Sequence, residues 1–326
     1  MPSRNVLITI CADNGDLTFP PHFRDGRFFN PGAPGPRGLA DVLKWKLTSR
    51  AEPSPALTPV SPSVPPAAID SPGLLVTLVN HSTVLLQQRG SNILTDPIWS
   101  DRCSPFSFAG PRRHRMPGVN FEHLPPIHTV LLSHNHYDHL DLPTLRRLAA
   151  RQASQFVAPL GLRQFLESQK IGPVHELDWG DSLAVPGATI HACPAFHFSG
   201  RGLSDRNRTL WSSYIIESEF GTSYFAADTA FGPHFTWIRE RFGPPRLALL
   251  PIGAYEPRWF MSAVHMNPED AIEAHRVLGA VASIAIHHGT FQLADESIDT
   301  PRRRLLACAP PDSFLVLANG QFARFD

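Results

Sequence analysis

Three histidines and an aspartate lie close together in the sequence, at His134, His136, Asp138 and His139. Imidazole and carboxylate groups at this spacing can face one point, and that combination of ligands is typical of a metal site. The preceding run, residues 129–132, is apolar and favours a β-strand. We therefore expect the first two histidines where a buried strand ends, with both side chains aimed the same way, and the other two residues in the following loop.

A site for two metal ions needs more ligands than this motif holds, and three later residues are candidates. His197 follows one apolar run, Asp228 closes another, and His287 ends a third. Each strand end delivers a side chain to the rim of a sheet. Taken singly, such a residue is more often an ordinary strand-end residue than a ligand. The motif favours the ligand interpretation, because a binuclear site requires partners.

The composition narrows the class of protein. The chain has 326 residues, with 29 Lys and Arg against 29 Asp and Glu, so it lacks the positive field with which nucleic-acid enzymes attract a polyanion. No apolar run approaches the roughly 18 residues of a membrane span, and residues 6–10 are too short for a signal-peptide core. Four widely spaced cysteines favour reduced thiols, and we expect a cytoplasmic protein that binds no nucleic acid. These cysteines are Cys11, Cys103, Cys193 and Cys308.

Thirty-three prolines are unevenly spread along the chain. They are dense in residues 53–72, where no helix or central strand can form, so this stretch is expected to be a linker or an extended strap. Before it, residues 39–49 fit an amphipathic helix, whose apolar face would either pack on the protein itself or lie on a membrane surface. The apolar residues of this helix are Val42, Leu43, Trp45 and Leu47. We predict an N-terminal arm over residues 1–72 and a main domain over residues 73–326.

Within the main domain, short apolar segments alternate with helical ones. The pattern predicts strands over residues 74–79, 84–88, 92–95, 129–133, 155–158, 189–195, 212–217, 223–227, 247–252, 283–287 and 314–318. It predicts helices near residues 143–151, 161–169, 233–242, 268–279 and 297–307, with Asp141 and Asn267 as N-caps. This order indicates a mixed α/β (α+β) fold, in which two sheets pack face to face with helices outside.

The motif, followed by a lone histidine, a lone aspartate and a final histidine, resembles the metallo-β-lactamase superfamily. Several runs are similar to its N-acylphosphatidylethanolamine-hydrolysing phospholipase D branch, and these are residues 95–98, 194–197, 227–229, 251–261 and 286–291. The run from Ile252 to Met261 is long and specific. The resemblance covers residues 73–318, and weakly the arm through residues 27–31 and 43–45. It implies a four-layer αββα sandwich with an N-terminal arm.

The resemblance also implies two zinc ions per chain. One would be held by His134, His136 and His197, and the other by Asp138, His139 and His287. Asp228 would bridge them, while ligand type alone leaves Mn²⁺ and Fe²⁺ open. The ions would share a hydroxide, held in line by Asp138, that attacks a phosphorus or a carbonyl.

Residues outside the ligand set have expected roles too. His265 is nominated as proton donor or phosphate ligand, and the alternative is a solvated surface histidine. Asp96 and His81 are expected beside the metals, where Asp96 would support a ligand imidazole through a hydrogen bond. The residues expected to line the substrate cleft are Tyr255, Arg258 and Phe260.

Three functions follow as hypotheses. The first is a zinc phosphodiesterase that cleaves N-acylphosphatidylethanolamine to phosphatidic acid and an N-acylethanolamine. The second is a lactonase or esterase acting on a small phosphorylated sugar lactone, which a small polar pocket without an apolar groove would favour. The third is a metal- or lipid-binding protein without turnover, against which the complete ligand set argues. Expected partners are a phospholipid or small ester, with peripheral membrane contact through the arm and a homodimer left open.

Overall fold

The computed structural model describes residues 19–33, 37–70, 72–202 and 204–326. The predictions for residues 6–10 and for Cys11 lie outside this part of the chain. Within it, three cysteines are free thiols, namely Cys103, Cys193 and Cys308. No helix in the described ranges combines the length and the apolar character that crossing a bilayer requires.

The arm begins with a small hairpin and one helix. Its elements are β1 (Phe23–Arg24), β2 (Arg27–Phe28) and α1 (Leu39–Thr48). The proline-rich stretch that follows lies along the main domain as a strap, where isolated bridges join Thr58 to Arg115 and Ser63 to Val119. The helix predicted over residues 39–49 is therefore present, and the proline-rich stretch forms no regular helix.

Two large sheets form the centre of the main domain. Consecutive strands of the first lie side by side, and they are β3 (Leu74–Asn80), β4 (Thr83–Gln88), β5 (Ser91–Thr95), β6 (Thr129–Leu131), β7 (Gln155–Pro159) and β8 (Val174–Leu177). The second sheet consists of β9 (Ser182–Val185), β10 (Ala188–Cys193), β11 (Ser213–Ser218), β12 (Gly221–Phe225), β13 (Leu247–Pro251), β14 (Ala282–Ile286) and β15 (Phe314–Leu315). The last strand, β16 (Phe322–Phe325), returns to the first sheet and pairs with β3.

Most of the helices cover the outer faces of the sheets. The helices of the main domain are α2 (Leu142–Arg151), α3 (Arg163–Ser168), α4 (His234–Phe242), α5 (Arg258–Met261), α6 (Pro268–Leu278) and α7 (Thr300–Ala307), with a short 3₁₀ helix at Phe121–His123. Leu145 and Leu148 of α2 are fully buried against the first sheet, because these apolar residues recur at helical spacing. On the second sheet, Phe235, Ile272 and Leu305 bury the corresponding faces of α4, α6 and α7.

The space between the sheets is filled by apolar side chains from both. Leu86 and Ile93 of the first sheet belong to the same buried cluster as Ile190, Phe225 and Ile284 of the second. Most central strands are buried on both faces, which explains their almost continuous apolar sequences. The order of layers is helix, sheet, sheet, helix, so the predicted αββα fold is confirmed.

Most predicted elements agree with the structure in type and position. The pattern missed three edge strands, β8, β9 and β16, whose residues are partly exposed and carry little apolar signal. It also missed α5, which at four residues is too short to show a helical period.

One local prediction about the motif was wrong, and one was confirmed in position only. Strand β6 ends at Leu131, so His134 and His136 lie in the following loop and strand alternation does not orient them. Asp141 occupies the N-cap of α2, but its carboxylate accepts hydrogen bonds from Ser100 Oγ at 2.8 Å and Thr144 Oγ1 at 2.6 Å instead of capping. The Asn267 cap of α6 is confirmed, since its Oδ1 accepts from the Asp270 N–H at 2.8 Å.

Candidate metal centre

The predicted site residues follow strands that end at one edge of the sandwich. In the first sheet, His81 follows β3, Asp96 follows β5, and the motif follows β6. In the second, β10, β12 and β14 run in the same direction, and their ends lead to the other three nominated ligands, His197, Asp228 and His287. Strands with a common direction deliver their terminal residues to one rim, which is how the two halves of the domain share a single site.

Three histidines form the first group of nitrogen atoms. His134 Nε2 lies 2.8 Å from His136 Nδ1, and His197 Nε2 lies 3.2 Å from the same Nδ1 atom. All three atoms lie within 4.8 Å of one another. This group therefore unites the loop after β6 with the segment after β10.

The second group combines a carboxylate with two imidazoles. Asp138 Oδ2 lies 3.1 Å from His139 Nε2 and 3.2 Å from His287 Nε2. His81 Nε2 lies 3.0 Å from the same oxygen. The group thus contains the second predicted ligand set together with His81.

Asp228 lies between the two groups. Its Oδ2 atom is 3.2 Å from His139 Nε2, 3.1 Å from His287 Nε2 and 3.7 Å from His197 Nε2. A carboxylate that contacts both sets is in the position that a bridging ligand would occupy. All seven nominated side chains are therefore brought together.

The donor atoms fit two divalent ions. Nitrogen and oxygen ligands about 2.0–2.1 Å from a tetrahedral zinc ion lie roughly 3.3 Å apart, which is close to the spacings above. Asp228 Oδ1 is buried and has no hydrogen-bond partner among the described residues. A buried polar atom without a partner is costly, and a carboxylate oxygen in this position fits the donor set of a bound cation.

The pKa shifts of the site residues also favour binding of a cation. Burial lowers the pKa of His136 to about 3 and that of His197 to about 4, so these imidazoles stay neutral and keep a lone pair for a metal. Burial alone would raise the pKa of Asp228, but His139 and His287 hold it well below its usual range. Burial disfavours charge on His287 as well, yet Asp228 and Asp138 raise its pKa to about 9. The centre therefore holds anionic carboxylates and attracts positive charge.

Asp96 supports two of the nominated ligands at once. Its Oδ2 accepts hydrogen bonds from His139 Nδ1 and from Ser133 Oγ, both at 2.6 Å. Because Ser133 Oγ donates to Asp96, it accepts a hydrogen bond from the Nδ1–H of His134, 2.8 Å away. With each Nδ1 donating, the Nε2 lone pairs of His134 and His139 are left facing the centre. His197 is oriented similarly by donating from Nδ1 to the Val264 carbonyl at 2.9 Å.

Strained backbone surrounds the same centre. His81, Asp96 and His287 have positive φ angles of 49°, 34° and 55°, which side-chain-bearing residues adopt only where tertiary contacts hold them. His287 N–H also donates to the His81 carbonyl at 3.0 Å. A Cβ atom at Gly253 would overlap the backbone oxygen of His287, so only glycine fits beside this strand end.

A residue that the sequence did not single out holds the motif loop in place. Arg201 Nη1 donates to the carbonyls of Asn135 at 2.8 Å and Leu140 at 2.9 Å, at the two ends of the loop. Its guanidinium lies 3.9 Å from the Tyr137 ring centroid, and Tyr137 Oη donates to the Arg201 carbonyl at 3.0 Å. Arg201 comes four residues after His197, so it joins two of the segments that carry nominated ligands. Its sequence position carries no signal for this role.

A cavity of about 350 Å³ opens onto the centre. His136, Asp138 and Asp228 line one part of it, and His265 and Phe260 line it as well. The remaining wall is mostly apolar and consists of Val42, Trp45, Phe198, Met261, Ala263, Val264 and Leu293, with Arg37 and Arg206. Helix α1 of the arm thus contributes directly to the cavity.

His265 lies beside the nominated ligands rather than on the surface. Its Nδ1 is 3.9 Å from Asp228 Oδ2, and its ring centroid is 5.0 Å from that of His197. Burial holds its pKa well below the ordinary value. The structure therefore does not support the alternative of a solvated surface histidine.

Two residues expected to line the cleft lie elsewhere. Tyr255 is fully buried, and the Arg304 guanidinium stands 5.1 Å from its ring centroid. Arg258 pairs with Asp270 Oδ2 at 2.6 Å and donates to the His265 carbonyl at 3.0 Å. These positions give the predicted substrate contact no support, because Tyr255 packs against Arg304 of α7 and Arg258 is paired with Asp270 of α6. Phe260 alone of the three lines the cavity.

Comparison with known proteins identifies similar sequences over most of the chain. Residues 91–288 match the model of the beta-lactamase superfamily domain. An uncharacterized protein of Mycobacterium tuberculosis is 40% identical over 308 residues, covering 91% of this chain and 82% of that protein. The N-acyl-phosphatidylethanolamine-hydrolyzing phospholipase D 1 of Caenorhabditis elegans is 43% identical over 232 residues, covering 68% of this chain and 65% of that enzyme.

A solved structure shares the fold. The isothiocyanate hydrolase from Delia radicum gut bacteria superposes with a TM-score of 0.63 and 20% identity, covering 77% of this chain and 99% of that one. At this identity the likeness concerns the fold alone. This comparison agrees with the four-layer fold described above.

Proposed function

Since the chain belongs to the metallo-β-lactamase superfamily and is a metal-dependent hydrolase, we propose that it is a binuclear zinc phosphodiesterase of the phospholipase D type. Its substrate would be N-acylphosphatidylethanolamine or a closely similar phospholipid. The similarity to the C. elegans enzyme supports this substrate class, over the matched part of both chains.

The composition of the cavity is the main support for this substrate class. One part holds the imidazoles and carboxylates that would bind the metals, whereas Val42, Trp45, Phe198 and Leu293 provide an apolar wall. A phospholipid has the same division, with an anionic phosphodiester next to apolar chains. A small phosphorylated lactone would leave the apolar wall exposed to water, so the wall favours the lipid over the lactone.

The proposed ligand sets are those defined by the two groups of atoms. His134, His136 and His197 would hold one ion, and Asp138, His139 and His287 the other, with Asp228 shared. Bound zinc would supply a water activated as a nucleophile at neutral pH and would neutralise negative charge on the phosphodiester. Imidazole and carboxylate ligands suit zinc, and Mn²⁺ and Fe²⁺ are the alternatives that metal analysis would distinguish.

The chain's own residues would orient the reaction. Asp138 would accept a hydrogen bond from the attacking water and so fix its direction. His265, which lines the cavity beside Asp228, would donate from its ring to a phosphoryl oxygen or to the leaving oxygen. Phe260 and Trp45, stacked with centroids 5.0 Å apart, would exclude water from the apolar part of the substrate.

The test is release of phosphatidic acid from N-acylphosphatidylethanolamine micelles by zinc-loaded protein, with Asp138→Asn as the blank. Release that the blank lacks supports the proposal. Two bound metals without release would reject the phosphodiester substrate and leave lactones and other esters as candidates.

Two variants test the assigned roles. Asp228→Ala is expected to empty or halve the metal content, and full occupancy would contradict a bridging role. His265→Ala is expected to keep both metals and lose turnover. The matched control is His123→Ala, at an exposed position, which should keep both the metals and the turnover of wild type. Full activity in His265→Ala would remove that residue from the mechanism.

The setting of the enzyme also belongs to the proposal. Leu43 and Leu47 of α1 are 61% and 77% exposed, on a helix that also borders the cavity. We expect a cytoplasmic protein whose arm contacts a membrane peripherally. Flotation with phospholipid vesicles, compared between wild type and Leu43→Ser/Leu47→Ser, tests this expectation.

A further inference from the structure

Two arginines that line the cavity have no carboxylate partner in the part of the chain that the structure describes. Arg206 lies in the segment between His197 and β11, and Arg37 lies in the arm just before α1. Both share the cavity with Asp138 and Asp228. Among the described residues, neither forms an ion pair with an acidic side chain within 4.0 Å.

Arg206 has the less satisfied guanidinium of the two. Its Nε atom is buried and has no hydrogen-bond partner among the described residues. Its Nη1 donates to the Arg37 carbonyl at 3.2 Å, and its Cζ lies 5.1 Å from the Phe198 ring centroid. A buried N–H without an acceptor costs stability, and the cost is larger for a charged group. Burial correspondingly lowers the pKa of Arg206.

The adjacent acidic residue does not neutralise Arg206. Asp205 accepts instead from the backbone N–H groups of Arg201 at 2.9 Å and Gly202 at 2.8 Å. Its carboxylate is thereby engaged in the turn and unavailable to the guanidinium. Arg37 uses Nη2 to donate to the Trp259 carbonyl at 2.6 Å, which leaves its other N–H groups for a further acceptor.

We propose that Arg206 and Arg37 form an anion subsite in this cavity and bind a phosphoryl group of the substrate. This inference rests on the proposed function and deepens it, because it adds a source of specificity separate from the metal ligands. Guanidinium groups match phosphoryl oxygens in geometry as well as charge, and such charged hydrogen bonds are stronger than neutral ones. A neutral lactone or carboxylic ester offers carbonyl oxygens but no negative charge, so its hydrogen bonds to the guanidinium are weaker and the subsite favours the anionic substrate.

The arm is then part of the binding site. Arg37 comes from the arm and Arg206 from the main domain, and the bond between Arg206 and the Arg37 carbonyl joins them. A competing explanation is that Arg206 only anchors the arm, since Arg27 also donates to the Arg206 carbonyl. Anchoring would not distinguish an anionic ligand from a neutral one of the same shape, and the experiment uses this difference.

Calorimetric titration of zinc-loaded protein with dihexanoyl phosphatidic acid and with uncharged dihexanoylglycerol tests the subsite. Arg206→Gln is expected to weaken binding of the phosphatidic acid at least tenfold and to leave binding of the uncharged lipid unchanged. Arg37→Gln should act in the same direction. Arg208→Gln, at an exposed position two residues along, is the matched control and should bind both ligands as wild type does. Zinc content is measured in every variant, so that metal loss is not mistaken for loss of the subsite.

The outcomes separate the explanations. Equal weakening for both lipids in Arg206→Gln would overturn the subsite in favour of arm anchoring, and unchanged binding of both would overturn it outright. Titration with inorganic phosphate identifies the source of the anion. If Arg206→Gln weakens binding of inorganic phosphate as much as binding of phosphatidic acid, the subsite also takes free phosphate. If only binding of phosphatidic acid is weakened, the subsite requires the lipid. Selective loss of phosphatidic acid binding, with no release from N-acylphosphatidylethanolamine in the activity assay, would uphold the subsite and reject the proposed substrate.

Discussion

Asp96 is the residue that couples the two ends of the His134–His139 motif. Its carboxylate accepts from His139 directly and reaches His134 through Ser133. It is fully buried at a positive φ of 34°, so the surrounding structure must hold it there against backbone strain. A buried carboxylate with several donors acts as a rigid support, and its effect should appear in metal affinity.

Replacing this carboxylate by an amide of similar volume tests the support. In Asp96→Asn only one side-chain oxygen remains for three donors, the Ser133 N–H on Oδ1 and the Ser133 Oγ and His139 Nδ1 on Oδ2. We expect zinc affinity to fall about 10- to 100-fold, measured by competition with a chelator of known affinity. Asp312→Asn, at an exposed turn, is the control and should bind zinc as wild type does. Equal affinity in a folded Asp96→Asn variant would show that the imidazoles are oriented without it.

At the scale of elements, the loop between β6 and α2 depends on a clamp from elsewhere in the chain. The loop has no ladder of its own, and Arg201 supplies donors to the Asn135 and Leu140 carbonyls. The guanidinium also covers the Tyr137 ring. Loops carry function best when a packed scaffold fixes them, and here one side chain provides that connection.

Removing the clamp should loosen the loop. In Arg201→Ala both carbonyls lose their donor, so we expect faster amide hydrogen exchange over residues 134–141 in the metal-free protein. Arg201→Lys retains the charge but not the planar guanidinium, so its exchange rate should lie between those of wild type and Arg201→Ala. Arg163→Ala removes a half-exposed arginine of α3 and serves as control. Unaltered exchange in Arg201→Ala would mean that the turn within the loop is sufficient to hold the loop in place without Arg201.

Helix α1 is held to the main domain by a small number of specific contacts. Trp45 Nε1 and Ser49 Oγ both donate to Asp295 Oδ1, at 3.0 and 2.6 Å, while Trp45 stacks on Phe260. Helices of ten residues are marginal in water by themselves. The arm helix therefore depends on these contacts, and the cavity wall depends on the arm.

Limited proteolysis can measure this dependence. Asp295→Ala removes the common acceptor, so trypsin should cleave after Lys44, Lys46 and Arg50 several-fold faster than in wild type. Leu47→Ala, which alters a side chain that is 77% exposed, is the control and should be cut at the wild-type rate. If cleavage of the two variants is equally slow, packing of Trp45 alone holds the helix.

At the scale of the whole molecule, the centre joins the two halves of the sandwich. Four nominated ligands come from the loop after β6, and three come from the segments after β10, β12 and β14. Ions bound between them would link the sheets at their common rim. A ligand that binds only the folded state adds about 4 kcal/mol when its free concentration is a thousand times its Kd.

Metal removal should therefore lower the melting temperature. We expect dialysis against a chelator to lower the Tm by several degrees and added zinc to restore it, as followed by scanning calorimetry. Asp228→Ala is the matched control, because the Tm of a protein that cannot bind its full metal content should fall less on treatment with the chelator. A chelator-insensitive wild-type Tm would mean that the packed sheets hold the rim without metal.

The layers and the nominated ligands were accessible from the sequence because their signals are local. Apolar runs of strand length alternate with helical periods, and this alternation indicates two sheets packed face to face with helices outside. The spacing of His134, His136, Asp138 and His139 likewise lies within one short segment. His197, Asp228 and His287 could be nominated because each follows a recognisable strand. The structure brings all of these side chains to one rim.

Only the tertiary structure decided which distant residues complete the site. Arg201 and Arg206 resemble any other loop arginine in sequence, and their positions depend on segments far away in the chain. Tyr255 and Arg258 lie in a specific motif, yet the first packs against Arg304 of α7 and the second pairs with Asp270 of α6, and neither lines the cavity. The exposed edges β8, β9 and β16 carry weak patterns because pairing, rather than burial, maintains them. Burial leaves a periodic signal along the chain, whereas contacts between remote segments leave none, and for that reason the cavity wall and its charge emerge only in the folded protein.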